Sequence, residues 1–175
     1  MNRHYKTLEL DKILKLLADQ TSIDDAKEMA LSLEPQFELE KVKKLLKQTD
    51  DAVVLSGKYG TPSFGGAKNC ANALRRAEAG GCLSTGELLQ IAETLRIIRS
   101  VKEWHSKFAS TETTLDGYFS GLVSNKFLEE KITNAIISED EISDKASSTL
   151  ADIRRKIRTA SSKAREVLDK IIHST

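Results

Sequence analysis

The stretch that decides the fold is SSTLADIRRKIRTASSKAREVLDKIIHST, residues 147–175. Its apolar residues fall at Leu150, Ile153, Ile157, Ala160, Ala164, Val167 and Ile171, in steps that alternate three and four. That spacing is the heptad seam of a coiled coil. Ser147, Ser148 and Thr149 offer capping oxygens just ahead of it, and no Gly or Pro interrupts the run. At about 1.5 Å per residue, residues 148–175 predict a rod of roughly 42 Å. A rod of this kind needs a second helix over its seam. The sequence stops where that partner, or a return arm, is due. The expectation is a piece of a longer protein, cut inside an outgoing coiled-coil arm.

Working outward, the remaining chain has the composition of a helical domain. Charged residues make up 30% and aromatics 5%, with two prolines and nine glycines. The net charge of +1 removes any bulk electrostatic argument for nucleic acid or membrane, so charge must be argued locally. No stretch approaches the roughly 18 apolar residues that cross a bilayer. The start, Met1-Asn2-Arg3-His4-Tyr5, lacks the apolar core of a signal peptide. Cys70 and Cys82 make neither a disulfide framework nor a zinc set. A cytoplasmic protein without a membrane partner is expected.

Thr7 reads as the cap of a first helix bearing Leu10, Ile13, Leu14 and Leu17 on one face. Thr21 and Ser22 restart the chain as a second, with Ala26, Met29, Ala30 and Leu33 inward and Pro35 ending it. A third is expected from Glu38 to Leu55, with Leu39, Val42, Leu46, Thr49 and Val53 in alternation, stopped by Gly57 and Gly60. Residues 57–67 form a turn-rich loop. A short helix over 69–79 then ends at Gly80-Gly81. Ser84 with Glu87 is a capping box that opens the longest internal helix. It is expected to run to Phe108, with Leu88, Ile91, Leu95, Ile98, Val101 and Trp104 inward. A short helix is expected over 115–122. Asn125 caps another, 127–137, with Leu128, Ile132, Ala135 and Ile136 on its face. An acidic segment, Ser138 to Asp144, suits a small hairpin before the seam helix.

The chemistry-bearing residues do not assemble into an active site. Gly60 and Gly65 have the outer spacing of a phosphate-binding loop, but Gly66 and Ala67 stand where its lysine and hydroxyl belong. No apolar strand precedes them, so a plain connector is expected. His4, His105 and His173 share no helical spacing with acidic or cysteine partners. His105, beside Trp104, suits the edge of a core. The two cysteines suit small buried hydrophobes. No nucleophile–base pair can be named, and neither a catalytic nor a metal site is expected.

One local charge feature stands out. Residues 146–175 hold seven Lys or Arg against three acids, a surplus of four positive charges. The basic residues lie off the seam and would line the outside of an arm. Such a stripe suits a phosphate track, although soluble coiled coils carry similar surfaces.

Four stretches in register then resemble a known family. They are Lys6-Thr7-Leu8-Glu9-Leu10-Asp11-Lys12-Ile13-Leu14; Gly65-Gly66 with Leu74-Arg75-Arg76-Ala77-Glu78 and Gly80-Gly81; Leu83-Ser84-Thr85-Gly86-Glu87-Leu88-Leu89; and Asp144-Lys145-Ala146-Ser147 through Leu150 and Ile153-Arg154-Arg155. Together they resemble the second bacterial MutS family, the paralogue without a mismatch-reading domain and with a C-terminal Smr nuclease domain. The resemblance implies an all-α fold: residues 1–145 as part of a MutS-like helical core, or lever, and residues 146–175 as the outgoing helix of a clamp coiled coil. It also implies a dimeric, ATP-dependent DNA-binding protein and endonuclease that suppresses recombination and splits collided ribosomes. Its partners would be branched DNA, ribosomal RNA, or both. ATP and Mg²⁺ belong to the whole parent, whose ATPase and nuclease residues have no counterpart in this chain. Within the chain, Arg154, Arg155, Arg158, Lys163 and Arg165 are the expected nucleic-acid contacts. The competing reading is a helical scaffold or dimerisation module that touches no nucleic acid.

Overall fold

The computed structural model describes residues 3–108 and 111–173. As expected, the architecture is helical, with one minute hairpin. The helices are α1 (Arg3–Thr7), α2 (Leu10–Asp19), α3 (Asp24–Leu31), α4 (Leu39–Tyr59), α5 (Ala71–Glu78), α6 (Thr85–Ser106), α7 (Asp116–Ser120), α8 (Lys126–Ala135) and α9 (Ser148–Ile172). Strands β1 (Ile136–Ser138) and β2 (Glu141–Ile142) pair antiparallel, Ile136 opposite Ile142.

The capping box is formed as the sequence predicts. Ser84 Oγ accepts from the Glu87 amide at 3.3 Å, and Glu87 reaches back to the Ser84 amide at 2.9 Å. Glu87 also pairs with Arg76 of α5, and this hydrogen bond leads in holding its carboxyl below the usual range. The glycine pair closes α5 with two nested bonds, Gly81 N to Arg76 O at 2.8 Å and Gly80 N to Ala77 O at 2.9 Å. Gly80 sits at φ 84°, which side chains rarely adopt. A Cβ on Gly81 would lie 2.9 Å from the Arg76 carbonyl oxygen.

The core sits where α6 crosses α8 and β1. Ile91, Ala92, Ile132 and Ile136 are buried together, and Cys70, Leu83, Leu88, Leu89, Leu95 and Ala135 pack around them. Towards the end of α6, Phe108 is 1% exposed among Tyr59, Trp104, His105 and Phe119, with ring centroids 4.8–6.3 Å away. Trp104 Nε1 donates to the carbonyls of Tyr59 and Gly60, which ties the end of α4 to α6.

Several local expectations are corrected. The chain forms α1 and then turns at Glu9 (φ 57°), so α2 starts after Glu9 and Thr7 does not cap it. Helix α3 is preceded by Ile23 rather than capped by Thr21 or Ser22. Thr21 Oγ1 instead closes α2 by donating to Ala18 O at 2.7 Å. Helix α4 runs through Gly57 to Tyr59, and its expected seam at Leu39, Leu46 and Val53 is exposed. It is held instead through Asp51, Leu55 and Tyr59, nearer its C-terminal end. On α8, Glu129 is buried and Leu128 is not, because Arg99 reaches across from α6 to form two bonds with the Glu129 carboxylate, at 2.8 and 3.0 Å. Cys82 is exposed, since it lies in the linker after the glycine pair.

Candidate nucleic-acid interface

Helix α9 is launched by a short run of capping residues. Ser143 Oγ accepts from the Lys145 amide at 3.1 Å, capping a 3-10 turn over Asp144–Ala146, and Ser143 N donates to Ala135 O of α8 at 2.9 Å. Ser147 Oγ then accepts from the Leu150 amide at 3.1 Å, as an N-cap does. Asp144 fixes the exit direction. Its two oxygens take Arg154 Nη1 at 2.7 Å and Arg158 Nη1 at 3.4 Å, while Arg154 also donates to Ile142 O at 2.7 Å. The Asp144 carboxyl is held below its ordinary range, chiefly by the Arg154 hydrogen bond.

Of the five cations singled out in the sequence, Arg154 and Arg158 are therefore engaged at the base of the helix. Arg155 pairs with Asp152 one turn back, at 2.9 Å, on an open surface. Lys163 and Arg165 stand further out, where every residue from 155 to 173 is exposed. With about 100° between successive helical residues, the five do not share one face. Arg154, Arg158 and Arg165 lie along one flank of the apolar seam. Lys163 lies on the other, aligned with Lys156 and Lys170 at seven-residue steps. Arg155 lies behind the Arg row. Sequence reasoning missed the Lys row as a row, though its heptad spacing is present there. Beyond its base the seam is exposed: Ile157 is 58% exposed, and Ile153 and Val167 are similarly open.

The other candidates have structural roles. The turn-rich loop lies along α6, with the Lys68 amide 3.4 Å from Thr94 Oγ1 and the Gly66 turn against Glu93. His105 stacks on Phe119, ring centroids 4.5 Å apart, and faces Asp116 at 3.4 Å, which puts it at the edge of the core as expected. Among the described residues, no group of three or more His, Cys, Asp or Glu could hold a metal ion. No helix among them is long and apolar enough to cross a membrane.

No protein-family model matches the chain. Curated relatives match it over nearly its whole length. It is 40% identical over 174 residues to Endonuclease MutS2 of Acetivibrio thermocellus, covering 97% of this chain and 22% of the relative. It is 38% identical over 173 residues to Endonuclease MutS2 of Ruminiclostridium cellulolyticum, covering 98% and 22%. It is 34% identical over 175 residues to Endonuclease MutS2 of Clostridium perfringens, covering 99% and 22%. The chain thus spans about a fifth of the length of the relatives it matches. That similarity, carried over nearly the whole chain at 34–40% identity, bears out the resemblance to the second bacterial MutS family.

Proposed function

We propose that this chain is the core-and-clamp portion of a MutS-like, ATP-dependent DNA-binding endonuclease, in which α9 bears on nucleic-acid phosphates. The portion itself binds or transmits motion and does not catalyse. The observation that supports this reading is the pair of cationic rows on a helix whose outer length is exposed. Rows of Arg and Lys without a base-reading motif suit contacts that position a phosphate backbone rather than read sequence. Branched DNA and the RNA of a collided ribosome both offer such a backbone, and the whole protein's roles in suppressing recombination and splitting ribosomes follow from the same resemblance. ATP with Mg²⁺, nuclease chemistry and dimerisation are assigned to the parts of the relatives that this chain does not span.

The test is salt dependence. Each neutralised phosphate contributes about 0.9 to the slope of log affinity against log salt on duplex DNA. Charge reversal at Arg155, Lys163 and Arg165 leaves the Asp144 anchor intact. It is expected to flatten the slope by roughly that amount for every phosphate no longer neutralised. An unchanged slope, or no salt-sensitive binding to branched DNA or ribosomal RNA, would count against the reading.

The scaffold reading draws on a different observation: Arg154 and Arg158 are held by Asp144 and so serve to orient α9. Under it, removal of residues 146–175 abolishes self-association in sedimentation, while nucleic-acid binding is undetectable before and after.

A further inference from the structure

Where α8 meets the 3-10 turn that launches α9, the surface holds an open hollow of about 440 Å³. Phe127 lines it and is 75% exposed, so most of its ring faces solvent. Lys131 Nζ stands over that ring, 5.9 Å from its centroid. Lys145, Asn134 and Glu130 complete the polar lining. Glu130 is offset by Lys126 at 3.5 Å, so the rim keeps a positive surplus from Lys131 and Lys145.

An exposed aromatic ring, a cationic rim and a side-chain amide are the parts of a platform that stacks one base and holds its phosphate. Hydrophobic docking of a protein helix would call for several apolar side chains, and Phe127 is the one large apolar residue in the lining. Self-pairing of two copies would bring like charges together at the rim. We infer that this hollow takes a single unpaired base of the nucleic acid whose backbone α9 tracks. The inference rests on the phosphate-binding reading above and narrows it to substrates with unpaired nucleotides, such as gaps, bulges and branch points.

The experiment uses the whole chain with two duplexes, one fully paired and one carrying 2-aminopurine in a single-nucleotide bulge. The bulged duplex is expected to bind about tenfold more tightly, in the range for stacking one base on an aromatic side chain, and its fluorescence to be quenched on binding. Phe127→Ala should lose both the preference and the quench while paired-duplex binding and its salt slope stay as they were. Phe127→Trp should retain both, and Lys131→Ala with Lys145→Ala should weaken bulge binding without abolishing the quench at saturation. Because Phe127 is exposed, circular dichroism of these variants should match the parent. Equal affinity for the two duplexes, or full quenching by Phe127→Ala, would overturn the stacking site and leave phosphate binding standing. Failure to bind either duplex would overturn both.

Discussion

Asp144 and Asp51 show how much single carboxylates do here. Asp144 gathers two arginines at the root of α9. Asp51 takes Lys47 at 2.8 Å and both the amide and hydroxyl of Thr114, at 2.9 and 2.7 Å, and these bonds hold its carboxyl down at about 2. Asp116, Glu87 and Glu129 are shifted the same way by their hydrogen bonds. A depressed folded-state value means that the stabilisation is complete above the unfolded-state value and disappears as pH falls through the folded one. The melting temperature should therefore hold level from neutral pH to roughly pH 5 and decline steadily below that. Asp51→Asn should remove part of the decline between its ordinary 3.8 and about 2, as melting curves across pH would register. Phe108→Ala, by emptying the most buried aromatic position, should cost about 3–5 kcal/mol in a denaturant titration. The capping box was legible in the sequence because both its partners lie within one helical turn. The Arg99–Glu129 pair was not, because its members are 30 positions apart and meet only when α6 crosses α8.

At the scale of elements, α6 and α9 make an instructive contrast. Both are long, capped and apolar on one side, and the sequence places both close to their observed ends. Helix α6 buries Ile91, Ala92, Ile97 and Val101. Helix α9 buries none of its residues. Beyond the Asp144 anchor, a stretch of helix without tertiary packing draws on propensity alone and opens locally at little cost. Amide exchange should therefore be slow along the middle of α6 and fast from about residue 159 outward in α9. Adding a helix that covers the seam should slow the α9 exchange. Ile157→Asp should block that protection while leaving α6 unchanged. Helix α4 gives the opposite lesson: its three-four alternation is plain in the sequence, yet the residues that hold it are Asp51, Leu55 and Tyr59. A period reports which residues could face a partner, whereas the tertiary arrangement decides which of them meet one.

For the whole molecule, the accessible surface is 13441 Å². A compact monomer of 19.4 kDa would expose about 8,500 Å². The excess includes apolar residues on α2, α3 and α4 as well as the α9 seam, among them Ile13, Met29, Phe37 and Leu46. Surfaces of this kind are usually made to be covered. The chain alone should bind a hydrophobic dye at neutral pH and run in size-exclusion chromatography ahead of a compact protein of its mass; compact elution with no dye binding would contradict this. What the sequence by itself determined was local: the helical class, the capping box, the glycine stop, the hairpin before α9 and the unbroken heptad seam, all set by residues within a few positions of one another. Tertiary structure decided what depends on residues far apart. It gave Arg154 and Arg158 to Asp144, buried a glutamate against Arg99, and gathered Phe127, Lys131 and Lys145 around one hollow. It also left the seam of α9, with its two cationic rows, exposed from Ile153 outward, because covering it takes a second helix and α9 packs mainly at its base.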